Sequence, residues 1–483
     1  MKINDLCKSD YNILLKGKEK LVVWNTLSDK IQILERGTFF YNFYLDNNEL
    51  CESILEEDDY SALYAQKLNG FLKEKNNEEA SKAEHKLISK RKSDSFSAVI
   101  TTTFSCNFNC SYCCQGTEKQ PGVFGYEVSS KIVELWKESG KANLNITWYG
   151  GEPLLFANKV INESTQIKST VENFGGTYKA QIYTNGYLIT SDIARKMVDA
   201  GITKVQVSID GTRRTHDHSR QHRSGKPTFN KIFENIKNAL ANNDNKLKFI
   251  IRINIEAEEV EISELISDLL SVDAHELGNT SFYLAPIEKR VGTSEIINSK
   301  ELISKEKFSE FYRQFILNSK KYNISYFIPN FTYGSCTATK EQSFVLAPNG
   351  DIHKCWDTVV LPTESFGSIK SEIKPLQKIN ETQKWRDFRA SDHPKCAQCK
   401  LLPVCGGSCA IKHFTQDKSI DNQSNFHLAC PPNKFLLKEY ILDSMTTNSV
   451  NTNKAQEIYD ADSFVDISLD SLSIKAEKTS KTV

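Results

Sequence analysis

The distribution of cysteine constrains this chain more than any other feature of its sequence. Thirteen cysteines occur in 483 residues, and eleven of them fall in two groups, from Cys106 to Cys114 and from Cys336 to Cys430, with none between the groups. The N-terminus is broken by charges and lacks the apolar segment of a secretion signal, so we expect a cytoplasmic protein. Because a reducing cytosol disfavours disulfides, clustered thiols there more often bind metal or perform redox chemistry. The grouping therefore predicts metal sites.

Composition excludes two classes of partner. Lys and Arg total 61 and Asp and Glu total 61, and this zero net charge argues against binding nucleic acid through bulk positive charge. No run of about 18 apolar residues occurs, which excludes a transmembrane helix. We therefore expect neither nucleic acid nor a membrane as a partner.

From Phe96 onward, strand and helix signals alternate. The predicted strands cover residues 97–103, 145–148, 181–184, 204–208, 248–254 and 281–285, with amphipathic helices between them. Such β/α units predict a parallel sheet covered by helices, either open or a partial barrel, with its chemistry at the carboxyl ends of the strands.

The flanking segments have other patterns. Residues 1 to about 70 predict a small domain with a hairpin around Gly17 and a helix over 60–73. The charged segment 74–92 is expected to be a solvated helix or a linker. Residues 330–435 have little periodicity and seven cysteines, so this region needs metal to fold. The polar tail from 446 to 483 predicts disorder.

Cys106, Cys110 and Cys113 follow the first predicted strand in a C-x3-C-x2-C spacing. Three thiolates on one short loop can hold one iron–sulfur cube and leave its fourth iron open for chemistry. Zinc would need a fourth ligand nearby, and Cys114 is a poor one because adjacent cysteines rarely reach the same ion. The spacing favours an iron–sulfur cluster over zinc.

This loop resembles the cluster-binding motif of the radical S-adenosylmethionine (SAM) superfamily, with Tyr112 as its aromatic residue. Three further strand ends resemble motifs of that family, namely Gly150-Gly151-Glu152-Pro153, Thr184-Asn185-Gly186 and Ser208-Ile209-Asp210-Gly211. The resemblance implies that the first motif, through its backbone and Glu152, receives the methionine amino group of SAM. It also implies ribose contacts at the third motif and a bond from Arg220 to the SAM carboxylate. The implied cofactor-binding residues are Tyr112, Gly150, Gly151, Glu152, Pro153, Asn185, Ser208 and Arg220.

Some residues of these motifs also have simpler interpretations. Gly150-Gly151 could form an ordinary turn, and Asp210, a candidate catalytic residue beside the three cysteines, could merely shape one. His216, His218 and His222 suggest a metal site, but we expect their side chains to be solvated because of their loop setting.

The second group resembles the SPASM domain that follows the catalytic domain in a large branch of radical SAM enzymes, and Gly350 matches as well. The resemblance implies auxiliary cluster I on Cys336, Cys355 and Cys409, and auxiliary cluster II on Cys396, Cys399, Cys405 and Cys430. Two complete four-iron cubes want eight thiolates, and Asn330 stands where some relatives have another cysteine. Cluster I is then expected to have a non-cysteine ligand, an open iron or fewer irons. A zinc ribbon is the alternative, and Cys7, Cys51 and Cys114 are expected to be ordinary thiols.

These motifs predict four segments and an α/β fold. A peptide-recognition domain with its linker is expected at 1–92, and the catalytic domain, a partial (β/α)6 barrel similar to a triosephosphate isomerase (TIM) barrel, at 93–325. A SPASM domain is expected at 326–445 and the tail at 446–483. The implied cofactors are SAM, one [4Fe-4S] cluster and two auxiliary clusters, with an external electron donor of the flavodoxin or ferredoxin type. Cleavage of SAM would supply a 5′-deoxyadenosyl radical that abstracts hydrogen.

The resemblance leaves two reactions open. Peptide maturases crosslink ribosomally made precursor peptides, whereas anaerobic sulfatase maturases convert Cys or Ser to formylglycine. About 95 residues with strands and a helix precede the cluster loop, which resembles the leader-peptide-binding domains of maturases that capture a peptide by strand addition. We therefore expect a maturase of antibiotic-type peptides, similar to the darobactin-maturase or cyclophane-forming type. Ether or carbon–carbon links to an aromatic side chain are favoured over thioethers. A non-catalytic iron–sulfur or zinc scaffold is the alternative of another class.

Overall fold

The structure is a computed structural model that describes residues 3–46, 50, 55, 59–113, 115, 124, 128–242, 246–256, 260–288, 302–331, 336–371, 382–414, 429–448 and 472. The chain divides into two compact units. The terminal unit comprises Met1–Arg91, Asn330–Cys336 and Phe388–Val483, and the barrel unit comprises Lys92–Pro329 and Thr337–Asp387. Cys51, Cys114 and most of the predicted disordered tail lie outside the described residues.

The described residues of the N-terminal part of the terminal unit form two small sheets and three α-helices. The elements are β1 (Leu6–Lys8), β2 (Asn12–Lys16), β3 (Lys20–Asn25), β4 (Lys30–Glu35), α1 (Phe39–Leu45), α2 (Asp59–Leu68), β5 (Leu72–Glu74) and α3 (Glu79–Arg91). Strands β2, β3 and β4 form an antiparallel sheet in that order, and β1 pairs with β5. The predicted hairpin is confirmed, since Ile13 pairs with Trp24 and the turn contains Gly17.

Two predictions for this segment need correction. The helix predicted over 60–73 ends at Leu68, because Gly70 takes a left-handed conformation with φ of 82° and the chain continues into β5. The charged segment does form a helix, α3, but one face is not solvated. Ala83 and Leu87 are buried there, and the helix packs against residues 402–405 of the same unit.

Six parallel strands form the sheet of the barrel unit in chain order. They are β6 (Ser95–Thr101), β7 (Asn143–Tyr149), β8 (Thr177–Thr184), β9 (Ile202–Asp210), β10 (Lys248–Ile255) and β11 (Thr280–Pro286). The register aligns their carboxyl ends, so that Thr101 pairs with Tyr149 and Asp210 with Asn254. The six predicted strands and the parallel sheet are confirmed.

Helices follow these strands, and all but Arg213–Ser219, which buries only His216, bury an apolar face. They are α4 (Val128–Ser139), α5 (Ala157–Asn173), α6 (Ser191–Asp199), α7 (Arg213–Ser219), α8 (Phe229–Ala241), α9 (Ile262–Ser271) and α10 (Lys305–Lys321). The predicted face of α4 is buried through Val128, Ile132, Leu135 and Trp136. No helix among the described residues is long and apolar enough to cross a membrane.

The sheet does not close on itself. Among the described strands, β11 pairs only with β10, whereas the other side of β6 pairs with β12 (Ser343–Leu346). Strands β13 (Asp351–His353) and β14 (Gly367–Ser368) then extend that edge in antiparallel fashion. The barrel unit is therefore a partial (β/α)6 barrel with an added three-stranded edge, and it also contains the short helix α11 (Gln383–Arg386).

The cysteine-rich part of the terminal unit consists of short helices. They are α12 (Pro394–Ala397), α13 (Leu402–Cys405), α14 (Ala410–Phe414) and α15 (Leu437–Asn448). Trp24 of β3 packs its ring against Phe331 and Tyr440, with centroid distances of 6.2 and 5.6 Å. The two ends of the chain thus share an aromatic core inside this unit. Of the tail, Leu472 is buried and its carbonyl accepts a hydrogen bond from the Lys400 amide.

Candidate active site

The carboxyl ends of the parallel strands surround a cavity of about 240 Å³ in the barrel unit. Nine of the twelve residues predicted to act in catalysis or bind SAM line this cavity, namely Cys106, Cys110, Tyr112, Cys113, Gly150, Gly151, Asn185, Ser208 and Arg220. Parallel strands present their carboxyl ends at one edge, so loops distant in sequence converge there. Glu152, Pro153 and Asp210 are not among the lining residues.

The three thiols of the cluster loop lie at one place in the wall. Burial raises the pKa of Cys110 to about 12; the positive charge of Arg220 opposes this, and Asp210, Cys113 and Cys106 add to it. All three cysteines line the same cavity. A thiol must lose its proton to bind a metal, and the charge of a bound metal would add to that of Arg220 in stabilising the thiolates. The donor set therefore fits an iron–sulfur cluster held by Cys106, Cys110 and Cys113.

Gly150 and Gly151 lie against the backbone of the cluster loop. The Gly151 amide donates to the Thr103 carbonyl (2.8 Å), and the Glu152 amide donates to the Ser105 carbonyl (2.9 Å). A Cβ on Gly151 would lie 2.2 Å from the Ser105 oxygen, and one on Gly150 would lie 2.5 Å from the Thr103 oxygen. Gly150 also has φ of 140°. These glycines are thus required for a close approach between two strand ends, which an ordinary turn does not need.

Tyr112 is the centre of a hydrogen-bond network. Its hydroxyl donates to Asp210 Oδ1 (2.7 Å) and accepts from Arg220 Nη1 (2.6 Å) and Asn254 Nδ2 (3.2 Å). Ser219 Oγ donates to the other oxygen of Asp210 at 2.7 Å. Burial would lower the pKa of Arg220, but Tyr112, Cys110 and Asp210 outweigh burial and raise it above its usual range, so the guanidinium stays charged. Asp210 acts on the cavity through Tyr112 and Arg220, as a positioning residue.

Glu152 joins two strand ends beneath the cavity. Its carboxylate is fully buried and accepts hydrogen bonds from the Leu154 amide (2.9 Å), the Asn185 amide (2.8 Å) and Thr184 Oγ1 (2.8 Å). Burial raises the pKa of Glu152, and these hydrogen bonds oppose that rise. Its oxygens thus hold the end of β8 against the glycine motif, whereas the resemblance implied a contact with SAM.

The expectation that the three histidines after β9 are solvated is wrong for His216. This residue lies on α7, is fully buried, and accepts a hydrogen bond from the Asp210 amide through Nδ1 (3.2 Å). Its Nε2 lies 3.0 Å from Thr228 Oγ1. Burial lowers the pKa of His216 to about 4, so the neutral ring supports the turn that carries Asp210.

Buried polar atoms without partners show that the cavity wall fits a polar ligand. Among the described residues, Arg220 Nε and both amide atoms of Gln115 are buried and make no hydrogen bond. Buried polar groups are nearly always paired, and Arg220 and Gln115 both line the cavity. A ligand with a carboxylate and further polar groups, as SAM has, would satisfy them. Gln115 was not identified from the sequence, since an isolated Gln after the cysteines carries no recognisable signal.

Sequence reasoning also missed an aromatic wall of the cavity, formed by Tyr149, Tyr183 and Trp356. The Trp356 ring lies 5.4 Å from Tyr149 and 5.8 Å from Tyr183, and the two tyrosine rings lie 6.3 Å apart. Each is next to a recognised motif, since Tyr149 precedes Gly150, Tyr183 is next to Thr184 and Trp356 follows Cys355. Their position beside these motifs was the available signal.

In the terminal unit, four cysteines line one small apolar pocket of about 30 Å³. They are the residues predicted for auxiliary cluster II, namely Cys396, Cys399, Cys405 and Cys430. Burial raises the pKa of Cys396 to about 12, and the neighbouring Cys399 and Cys430 add to that rise. Four thiols that line one apolar pocket, with Cys396 buried and the other three half-buried, fit a four-iron cluster by their chemistry.

The tight loop beside this pocket is built on left-handed backbone. Gly406, Gly407 and Ser408 have φ of 58°, 81° and 59°, and a Cβ on Gly407 would lie 2.4 Å from that of Ala390. This turn leads from Cys405 to Cys409. Cys336 and Cys409 belong to the terminal unit and Cys355 to the barrel unit, so the shared cluster I remains a prediction. Among the described residues, no three His, Cys, Asp or Glu side chains converge as a single metal ion would require.

Comparison with known families agrees with the cluster loop and with the first part of the second cysteine group. The profile of the radical SAM superfamily matches residues 100–265, and the SPASM profile, an iron–sulfur cluster-binding domain, matches residues 336–400. The chain is a radical SAM enzyme with a SPASM domain. These domains imply SAM, a [4Fe-4S] cluster and auxiliary clusters as cofactors, so the predicted fold class, enzyme class and cofactors are confirmed.

Several characterised proteins are similar to this enzyme over most of its length. The serine-type anaerobic sulfatase-maturating enzyme of Bacteroides thetaiotaomicron is 23% identical over 362 residues, 67% of this chain and 84% of the relative. The cysteine-type enzyme of Clostridium novyi is 25% identical over 357 residues, 70% of this chain and 92% of the relative.

Two solved structures share the fold. The sulfatase-maturating enzyme anSMEcpe with bound AdoMet has a TM-score of 0.56 at 18% identity, covering 75% of this chain and 99% of its own. Streptococcus suis SuiB bound to S-adenosylmethionine has a TM-score of 0.52 at 16% identity, covering 86% of this chain and 99% of its own.

Proposed function

We propose that this enzyme oxidises a side chain of a ribosomally made precursor peptide and links it to a neighbouring residue, with an aromatic side chain as one partner of an ether or carbon–carbon bond. The aromatic wall carries the proposal. Tyr149, Tyr183 and Trp356 line the same cavity as the cluster loop. Aromatic rings prefer tilted and edge-to-face contacts with other rings, worth about 0.5–1.5 kcal/mol beyond the area they bury. A wall of three rings therefore selects an aromatic guest over a small polar one.

The remaining wall residues have separate tasks in this proposal. Arg220, held by Tyr112 and Asp210, and Gln115 would bind the polar groups of SAM, and Cys106, Cys110 and Cys113 would hold the cluster. When bound, the cluster and SAM supply a radical able to remove hydrogen from an unactivated carbon. The chain contributes orientation and the exclusion of water. The Nε of Arg252 donates to Asn254 Oδ1 (2.8 Å), which fixes a second cation at the cavity.

The N-terminal sheet supports a peptide substrate. Among the described strands, β4 pairs with β3 alone, so its other edge has no partner strand. Lys30, Ile33 and Glu35 on β4 are exposed, and an extended leader can add to such an edge as a further strand. One similar solved structure also favours a peptide substrate, since anSMEcpe is described with a bound Cp18Cys peptide.

Formation of formylglycine is the second candidate. It is favoured by the curated relatives, since proteins 23–25% identical over two thirds of this chain are named sulfatase-maturating enzymes. In this reaction the residue modified would be a single Cys or Ser, and binding it would need neither a leader peptide nor an aromatic side chain in the cavity.

Mass spectrometry with an aldehyde probe distinguishes the candidates. The enzyme would be co-expressed anaerobically with short precursor genes encoded beside its own, and the holoenzyme would separately be given a sulfatase-derived cysteine peptide. We expect the peptide to lose two hydrogens per crosslink and to show no backbone fragments between the two linked residues. It should not react with hydroxylamine. Because serine-derived formylglycine also loses two hydrogens, the hydroxylamine reaction decides. A hydroxylamine-reactive product would refute the crosslinking proposal in favour of the second candidate.

Variants of the aromatic wall test the same proposal. Trp356→Ala should raise KM for an aromatic precursor about tenfold, the equivalent of one lost ring contact. SAM cleavage without peptide should continue. Leu155→Ala is a matched control, because Leu155 is an exposed large side chain and does not line the cavity. Unchanged KM in Trp356→Ala would contradict the assignment of the wall.

A further inference from the structure

An exposed turn is joined directly to the cluster loop. Residues 221–226, which we call the basic turn, lie beside residues 107–109 of the cluster loop. The Asn109 amide donates to the Gln221 carbonyl (3.0 Å), and the Arg223 amide donates to the Asn107 carbonyl (2.9 Å). Phe108 and His222 form an antiparallel bridge between these two bonds. The basic turn and the loop that carries the cluster cysteines therefore form one two-stranded surface.

This turn is rigidly held. The Gly225 amide donates to the His222 carbonyl (2.8 Å), and Gly225 has φ of 75°. The His222 ring stacks on Tyr187 with a centroid distance of 4.9 Å and contacts the Phe108 ring edge-on at 6.3 Å. The hydrogen bonds of residues 221, 223 and 225 and the ring contacts of His222 hold the turn against the cluster loop.

The turn is positively charged and unneutralised. Arg223 and Lys226 are exposed, and neither forms an ion pair with any residue that the structure describes. Arg223 Nε donates to the Cys106 carbonyl oxygen at 2.8 Å, which places this cation beside the first cluster cysteine. The nearest acidic residue in sequence, Asp217, is engaged elsewhere, because its Oδ1 accepts the amides of Thr228 and Phe229 at the start of α8.

Neighbouring cations differ from these two. Arg213 pairs with Asp268 and Arg214 with Glu264, and Arg220 is buried against Asp210. The whole chain has no net charge. The exposed positive charge in this region is thus concentrated on the turn that touches the cluster loop.

We propose that the basic turn is the docking site of an acidic one-electron donor protein of the flavodoxin or ferredoxin type. Reductive cleavage of SAM needs one electron from outside the chain, and transfer is fast only when donor and acceptor are close. A partner whose acidic rim surrounds its cofactor would bind Arg223 and Lys226 and bring that cofactor to the Cys106 side of the site. The donor protein would lose one electron to a cluster held by Cys106, Cys110 and Cys113, and no bond would form or break.

Complementary charge acts mainly on encounter and orientation and weakens with salt. The site therefore suits a transient partner that must leave after each electron. The inference depends on the radical SAM chemistry of the enzyme and is independent of which peptide it modifies.

Binding of a recombinant flavodoxin to the anaerobic holoenzyme tests the proposal without any turnover. The dissociation constant would be measured by biolayer interferometry at low and high ionic strength. Lys226→Glu should weaken binding about tenfold at low salt, and Arg223→Glu by a similar factor. Arg223→Lys should bind like the wild type, because it keeps the charge and loses only the bond to the Cys106 carbonyl. High salt should remove most of the difference between variants.

Lys179→Glu is the matched control. Lys179 is exposed at the amino end of β8, the opposite edge of the sheet from the cluster loop, and the substitution changes net charge by the same amount. It should leave flavodoxin binding unchanged. Lys226→Glu should also cleave SAM at the wild-type rate when dithionite replaces flavodoxin, since its side chain contacts no cluster cysteine.

Three results would overturn the assignment. Flavodoxin could fail to bind the wild type, Lys226→Glu could bind it as tightly as the wild type at low salt, or Lys179→Glu could weaken binding equally. If Arg223→Glu loses iron, the outcome for Lys226→Glu decides alone. Failure of the peptide experiments would not affect this measurement, because no peptide is present.

Discussion

Substituting Gly151 with alanine should separate the cluster loop from the end of the neighbouring strand β7. The new Cβ would lie 2.2 Å from the Ser105 carbonyl oxygen and 2.6 Å from that of Phe104. Both are backbone atoms, so no flexible side chain can move aside to relieve the overlap. The end of β7 and the cluster loop must separate, and the hydrogen bonds of the Gly151 and Glu152 amides would be lost or lengthened.

The magnitude follows from these contacts. Overpacking in a well-packed region costs about 1–3 kcal/mol, and each lost backbone hydrogen bond costs about 1 kcal/mol. With two bonds involved, we expect the barrel unit to lose roughly 3–5 kcal/mol of unfolding free energy. Since Ser105 directly precedes Cys106, the displaced loop should also bind iron poorly.

Urea denaturation and iron content measure the two effects. The matched control is Gly367→Ala, because a Cβ on Gly367 meets nothing within 4 Å and its backbone is not left-handed. That control should change stability by less than about 0.5 kcal/mol, as surface substitutions usually do. A Gly151→Ala protein with wild-type stability and full iron would refute the reasoning. It would show that the two strand ends tolerate separation without loss of the cluster.

Three further predictions follow from the site. Tyr112→Phe removes the hydroxyl that joins Asp210 to Arg220, at a cost of about 1–3 kcal/mol. The affinity for SAM, measured by equilibrium dialysis, should fall about tenfold, and an unchanged affinity would contradict the role of this network. Burial lowers the pKa of His216 from 6.5 to about 4, so its stabilising contribution is complete above pH 6.5 and falls towards pH 4, by at most about 3 kcal/mol. In urea denaturation between pH 6.5 and pH 4, the unfolding free energy of His216→Gln should no longer show this fall. A fall as steep as that of the wild type would contradict the prediction. Cys110→Ala should abolish 5′-deoxyadenosine while auxiliary iron remains, whereas Cys430→Ala should lose about one cluster of iron and keep SAM cleavage without peptide; loss of all iron in either would mean a misassigned site.

The sequence predicted the catalytic sheet well because its signals are local. Each strand of the barrel is a short apolar segment ended by turn residues, and the helix faces repeat at 3.6 residues. The parallel order follows from alternation alone, since parallel strands need helical crossovers. Where a local signal was ambiguous, the prediction failed. The helix over 60–73 was extended past Gly70, and α3 looked fully solvated because charged residues outnumber Ala83 and Leu87 on its surface.

The candidate site was predicted through spacing and resemblance, and only in part. Cysteine ligands recur at fixed intervals, so the three residues of the cluster loop and the four of the second pocket stand out in one dimension. Gln115, Tyr149, Tyr183 and Trp356 have no such pattern, and the fold alone places them in the cavity wall. The burial of His216 could not be predicted either, because a histidine in a polar segment is expected to be solvated. Only the packing of α7 against α8 buries its ring.

What the sequence determined by itself was the chemistry of the donors: thiols in cluster spacing, glycines at strand ends, and a chain able to build a parallel sheet. What only the tertiary structure decided was which groups face the cavity and which stand behind it. Glu152 and Asp210 belong to the same motifs as Gly151 and Ser208, yet their carboxylates are occupied by hydrogen bonds below the wall. The reason is that the direction of a side chain and the hydrogen-bond partners available to it depend on neighbouring strands that are distant in the sequence. Motif membership therefore predicts location at a strand end, and the packing of the sheet decides the role.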